Sequence, residues 1–136
     1  MTKAAILCVD DEATILKVLK EQLKRCFGKR YVYETAQSAE EAWEVINDLS
    51  EDEVQLLLIV SDWLMPGMKG DEFLSQVHQR FPKIINVMLT GQADDAAIER
   101  ARQDANLHAC LYKPWREEEL HQLIVGALES EPNDLN

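Results

Sequence analysis

The stretch LLLIVSD, residues 56–62, decides the fold, because five consecutive apolar residues lead into a serine and then an acid. The same pattern occurs in AAILCVDDE, residues 4–12, where an apolar run ends in three acids. A strand that is apolar at every position, rather than at alternate positions, is typical of a parallel sheet covered on both faces. These two segments therefore predict central parallel strands with acidic side chains at their carboxyl ends.

Strand-like and helix-like segments alternate along the rest of the chain. Glycine at position 28 ends the first helical pattern, Ser38 with Glu41 three residues later predicts the start of the second, and Pro82 ends the third. Strict alternation with short connections predicts an α/β fold with right-handed crossovers and helices on both faces of the sheet. The predicted strands are 4–9, 31–35, 56–60, 84–89 and 109–112, and the predicted helices are about 15–27, from 38 onward, 71–80, 93–103 and 116–128.

One domain is expected, because 136 residues of which 46% are hydrophobic can bury a core. We assign residues 1–129 to this domain and residues 130–136 to a C-terminal tail or linker. No apolar run reaches the roughly 18 residues of a membrane span, and acids interrupt the N-terminal apolar stretch, so neither a span nor a signal peptide is predicted. Three cysteines without a CxxC pair fit a reducing compartment, and we expect a cytoplasmic protein.

The charge balance bears on the partners of this domain. Lysine and arginine number 14 against 25 aspartates and glutamates, which gives a net charge of −11. This excess of acid disfavours direct binding to nucleic acid, whose phosphates select basic surfaces. Cysteine and histidine do not cluster in the sequence, so a zinc or iron site is not predicted.

Polar residues stand at the end of four predicted strands: Asp10 and Asp11, then Asp62, Thr90 and Lys113. Ligands of open parallel sheets bind beyond these carboxyl ends, so the five side chains are candidates for one site. Three converging carboxylates would raise one another's pKa unless a cation lay between them, and Mg²⁺ prefers such oxygen ligands. The threonine hydroxyl and the lysine would suit a phosphoryl group, which a carboxylate nucleophile can accept.

Four segments resemble, in order, the motifs of the response-regulator receiver domain: VDDE at 9–12, SDWLMPGMKG at 61–70, LTG at 89–91 and YKPW at 112–115. The resemblance covers roughly residues 3–128. It implies a flavodoxin-like, doubly wound sheet of five parallel strands in the order 2-1-3-4-5 with five helices, as in the chemotaxis receiver. It also implies that the chain accepts a phosphoryl group from a histidine kinase or phosphotransfer protein in two-component signalling.

The resemblance assigns roles at the metal and phosphoryl site. Asp62 is the implied phosphoacceptor and also a ligand of Mg²⁺. Asp11 is the implied direct ligand, Asp10 acts through water, and Leu64 contributes its backbone carbonyl. Leu64 and Gln92, which lie near the attack path in family terms, are expected to influence the lifetime of the phosphoryl group.

The resemblance also implies how the signal leaves the site. After transfer Thr90 moves toward the phosphoryl group and Lys113 forms an ion pair with it. The change reaches the face formed by the fourth helix, the fifth strand and the fifth helix, where a downstream protein or output domain binds; a homodimer is an alternative use of that face. No membrane partner is expected, and because the output is binding we do not expect an enzyme.

One position departs from the family pattern. Receivers commonly carry tyrosine or phenylalanine three residues before the lysine of the fifth strand, and Cys110 occupies that place here. Tyr112 precedes Lys113 directly, and alternation along a strand places positions 110 and 112 on the same face. Both residues are candidates for switching or output coupling, and the sequence leaves open whether Tyr112 replaces the usual aromatic.

Two rival interpretations use the same residues. A Mg²⁺-dependent hydrolase with an aspartyl-phosphate intermediate would usually carry its nucleophile after the first strand, with a second aspartate two residues later, and would need a cap domain. The Asp10-Asp11-Glu12 spacing and the length of 136 residues do not fit it. A receiver-like module that binds partners without phosphorylation is disfavoured by the intact acidic pair together with Thr90 and Lys113.

Overall fold

The computed structural model describes residues 3–91 and 95–129, which alternate between strands and helices. A 3₁₀ turn, Gly28–Arg30, follows the first helix and was not predicted. The expected tail at 130–136, Gln92 and the predicted start of the fourth helix at residue 93 lie outside the described residues. The strands are β1 (Ala4–Val9), β2 (Val32–Ala36), β3 (Gln55–Asp62), β4 (Ile85–Thr90) and β5 (Leu107–Tyr112), and the helices are α1 (Ala13–Phe27), α2 (Ala39–Glu51), α3 (Gly70–Arg80), α4 (Asp95–Asp104) and α5 (Glu117–Glu129).

The five strands form one parallel sheet in the order β2-β1-β3-β4-β5. The predicted fold class and strand order are therefore confirmed. Because β1 lies between β2 and β3, the chain reverses its direction of winding there, and a crevice opens beyond the carboxyl ends of these central strands. The candidate residues follow β1, β3, β4 and β5 at this edge.

The core has two layers, one on each face of the sheet. Alternate residues of β1 enter different layers, since Leu7 and Val9 pack under α2, α3 and α4 whereas Ile6 and Cys8 pack under α1 and α5. All four side chains are fully buried. The continuous apolar run that predicted a doubly covered strand is explained by this alternation, because neither face of β1 meets solvent.

Local signals set the helix ends as the sequence predicts. The Oγ of Ser38 accepts a hydrogen bond from the backbone N–H of Glu41 (3.0 Å), so the predicted cap of α2 forms. Gly28 ends α1 with a φ of 60°, in the left-handed region that favours glycine. In the part of the chain described, no helix is long and apolar enough to cross a membrane.

Candidate functional site

Five of the predicted site residues line one pocket at the carboxyl edge of the sheet. Asp62, Thr90 and Lys113 line it from the ends of β3, β4 and β5, and Asp11 lines it from the loop after β1. Leu64, predicted to offer its carbonyl, lies in the same lining with an exposed side chain. Residues 12, 65, 66 and 91 complete the wall.

Three carboxylates lie close together at this site. Asp10, Asp11 and Asp62 each place one carboxylate oxygen within 4.8 Å of the other two. Asp10 is fully buried and Asp62 is only 5% exposed, whereas Asp11 is exposed. Burial first, and then the charges of Asp10 and Asp11, raise the pKa of Asp62 to about 6 although Lys113 opposes the shift. The fold therefore places negative charge close together at this site, where burial keeps water from hydrating two of the three carboxylates.

Lys113 balances part of this charge from the end of β5. Its Nζ lies 2.9 Å from Asp10 Oδ2, 3.3 Å from Asp62 Oδ1 and 3.9 Å from Glu12 Oε1. Burial alone would lower the pKa of Lys113, but its pairing with Asp10 and Asp62 outweighs burial and raises it. One lysine thus stays charged between two buried carboxylates, and the net charge of the cluster remains negative.

The surroundings of Asp10 indicate that this cluster suits a cation. Asp10 Oδ1 accepts a hydrogen bond from the backbone N–H of Glu12 (2.8 Å), which orients the carboxylate. Asp10 Oδ2 is buried, and its partner among the described residues is the ammonium of Lys113 at 2.9 Å. An oxygen-only donor set, whose negative charge one lysine balances only in part, fits a hard divalent ion such as Mg²⁺.

The loop after β3 is held by backbone contacts on both sides. The N–H of Trp63 donates to the carbonyl of Leu89 (3.0 Å), and the N–H of Gly70 donates to the carbonyl of Trp63 (2.7 Å). A Cβ at position 70 would overlap the backbone carbonyl of Asp62, so only glycine allows this approach. The position of Asp62 is therefore fixed by β4 and by the start of α3.

Asp71, at the start of α3 close to this loop, was not among the predicted site residues. The side chain of Asp71 accepts a hydrogen bond from Trp63 Nε1 (3.1 Å) and lies 3.8 Å from Arg100 Nε of α4. It is only 7% exposed. An acid in the first turn of a helix is common because it interacts favourably with the helix dipole, so its position in the sequence gave no reason to single it out.

Cys110 and Tyr112 lie beside β4 and outside the pocket lining. They are the register partners of Met88 and Thr90, and their side chains are close enough to influence each other's pKa. They therefore share a face, as the alternation predicts. Cys110 packs against the core layer under α2, α3 and α4, whereas Tyr112 is 56% exposed. Burial raises the pKa of the Cys110 thiol, and a smaller contribution from Tyr112 opposes this rise.

The raised pKa of Asp62 predicts how pH changes stability without divalent ions. Between about pH 4 and pH 6 the folded chain binds more protons at Asp62 than the unfolded chain does, so unfolding free energy falls as pH rises. At about 1.4 kcal/mol per pKa unit, reduced for residual hydration, we expect Asp62→Asn to stabilise the protein by ~2 kcal/mol at pH 7 and by little at pH 4. Urea unfolding at both values measures this difference.

The control is Asp48→Asn, which removes an exposed carboxylate from α2. We expect its effect to stay within about 0.5 kcal/mol at both pH values. An equal effect of Asp62→Asn at pH 4 and pH 7 would show that burial and repulsion do not govern the charge of Asp62.

Comparison with known proteins agrees with this geometry, since the family model described as the response regulator receiver domain matches residues 6–125. The chain belongs to the response-regulator receiver family. Receivers accept phosphoryl groups in two-component signalling, and this family role replaces the hydrolase interpretation.

Three relatives illustrate the range of this family. The hydrogenase transcriptional regulatory protein HoxA of Cupriavidus necator is 30% identical over 129 residues, which cover 95% of this receiver and 25% of HoxA. A chemotaxis protein CheY homolog of Campylobacter jejuni is 27% identical, and the match covers 90% of this receiver and 91% of the homolog. The crystal structure of the signal receiver domain of an HD domain-containing protein from Pseudomonas fluorescens has a TM-score of 0.83 and 28% identity, with coverage of 95% and 97%. This receiver thus spans about a quarter of HoxA.

Proposed function

We propose that Asp62 of this receiver accepts a phosphoryl group from a phosphohistidine of a histidine kinase or phosphotransfer protein. Mg²⁺ would be held by Asp11, Asp62 and the Leu64 carbonyl, with Asp10 acting through water. The observation that supports this proposal best is that three carboxylate oxygens lie within 4.8 Å of one another beside a lysine that balances only part of their charge.

The residues of the pocket divide the chemistry of transfer among them. An Asp62 carboxylate oxygen forms a bond to phosphorus while the phosphorus–nitrogen bond to the histidine breaks and the imidazole leaves. A cation held by Asp11, Asp62 and the Leu64 carbonyl would supply positive charge to the phosphoryl and carboxylate oxygens. Lys113 offers positive charge to the phosphoryl group from the opposite wall, and the Thr90 hydroxyl donates a hydrogen bond to it. The product is an aspartyl phosphate.

The output of the receiver is proposed to be binding rather than catalysis. Movement of Thr90 changes the face formed by α4, β5 and α5, where Tyr112 is exposed next to Thr90 in the sheet register. A downstream protein, an output domain or a second copy of the receiver binds this face. The net charge of −11 argues against direct contact of this domain with nucleic acid. We place the receiver at residues 1–129, with 130–136 as tail or linker, in the cytoplasm and without a membrane partner.

Intact mass spectrometry after incubation with acetyl phosphate tests the proposal. We expect the wild type to gain one phosphoryl group in the presence of Mg²⁺ and none with excess chelator. Asp62→Asn should gain none under either condition. Asp48→Asn on the exposed side of α2 is the matched control and should behave as the wild type. No gain in the wild type would favour a module that binds partners without phosphorylation.

A further inference from the structure

Asp71 is a buried carboxylate that the proposed phosphoryl chemistry does not use. Only 7% of the residue is exposed, although it stands in the first turn of α3. Its neighbour Glu72, in the same turn, is exposed and is suited to interact with the helix dipole. Burying a charge is unfavourable unless it is paired and hydrogen-bonded. Two side chains compensate the burial of Asp71.

The first partner is Trp63, which lies between two residues of the proposed site. The indole Nε1–H donates to Asp71 Oδ1 over 3.1 Å. Trp63 is bonded through the chain to Asp62, the proposed phosphoacceptor, and to Leu64, the proposed carbonyl ligand of the cation. Because Trp63 shares its backbone with both residues, the hydrogen bond of its indole bears on how precisely the two are positioned.

The second partner is Arg100, on a different helix. Arg100 Nε of α4 lies 3.8 Å from Asp71 Oδ2, which is long for an ion pair and involves a single nitrogen. Such a contact strengthens or breaks with a small shift of α4. When it breaks, the carboxylate keeps only the Trp63 N–H among these two partners, so the strength of that hydrogen bond depends on where α4 lies.

We propose that Asp71 is a positioning residue that couples the proposed phosphorylation site to α4 through Trp63 and Arg100. This inference rests on the proposed function and adds a side-chain route to the route proposed through Thr90. Coupling is reciprocal, so a partner that moves α4 alters cation binding and phosphoryl lifetime, and occupancy of the site alters α4.

The test compares two variants that each remove one side of the ion pair. Asp71→Asn keeps an oxygen that accepts from the indole but loses the charge, and Arg100→Gln loses the cation. The matched controls are Glu72→Gln, which removes a charge from the same turn of α3, and Arg102→Gln, which removes one from α4. Two measurements are made: the rate of phosphoryl loss by intact mass after acetyl phosphate is removed, and MgCl₂ titration followed by the ¹⁵N–¹H indole resonance of Trp63, assigned with Trp63→Phe.

We expect Asp71→Asn and Arg100→Gln each to change the phosphoryl-loss rate by at least about threefold, with the double variant no further changed than the larger single variant. Arg100→Gln should also shift the indole resonance and the Mg²⁺ titration, and both controls should follow the wild type. Additive effects, or controls that change as much, would overturn the coupling. If the wild type accepts no phosphoryl group, the proposed function fails. The MgCl₂ titration still decides whether removing the charge of Arg100 changes the environment of the Trp63 indole.

Discussion

Replacing Lys113 with methionine is expected to lower the unfolding free energy by ~3 kcal/mol at pH 7 in the absence of divalent ions. The substitution keeps most of the side-chain volume but removes the ammonium that lies 2.9 Å from Asp10 and 3.3 Å from Asp62. Asp10 is fully buried, so its charge would lose its compensating partner. This loss lies at the lower end of the range for breaking a buried ion pair, because the lysine side chain is 20% exposed and Asp62 can take up a proton.

Urea unfolding with and without MgCl₂ measures this effect and separates charge from packing. If a cation binds among the three aspartates, Mg²⁺ should recover part of the loss, because it supplies positive charge to the same oxygens. The control Lys17→Met removes an exposed lysine from α1 and should change stability by less than about 0.5 kcal/mol. A loss for Lys113→Met as small as for this control would contradict the compensating role of Lys113.

Gly70→Ala is expected to destabilise the protein by ~3 kcal/mol, because a Cβ there would overlap the backbone of Asp62 and Trp63. Relief requires the start of α3 to move away from β3, since the overlapping atoms are backbone rather than flexible side chain. The hydrogen bond from the Gly70 N–H to the Trp63 carbonyl would lengthen at the same time. We therefore expect phosphorylation by acetyl phosphate to slow as well.

Gly126→Ala is the matched control for this substitution. Gly126 lies within α5, and a Cβ there would meet no atom within 4 Å outside the adjacent turns of its own helix. Alanine favours helix over glycine, so Gly126→Ala should stabilise the protein by ~0.5–1 kcal/mol. Thermal unfolding should show a lower melting temperature for Gly70→Ala and a higher one for Gly126→Ala, if position 70 requires glycine because of the close backbone approach there. A neutral Gly70→Ala would show that the loop after β3 can shift without cost.

Several elements of the fold could be predicted because their causes are local. The apolar run that becomes β3 predicted a doubly covered strand, and the cap at Ser38 forms as expected. The 3₁₀ turn Gly28–Arg30 was not predicted, since three residues give no periodic signal. The convergence of Asp10, Asp62 and Lys113 was predicted as well, because parallel strands place their carboxyl ends at one edge.

The sequence alone determined the strand order by family resemblance and the identity of the candidate residues by their position after apolar runs. Only the tertiary structure decided which oxygen of Asp10 faces Lys113 and which two carboxylates share that lysine. It also decided that Asp71 is buried between Trp63 and Arg100, which stand far apart in sequence. The physical reason is that strand and helix patterns depend on neighbours along the chain, whereas burial and ion pairing depend on distances between separate elements that packing alone sets.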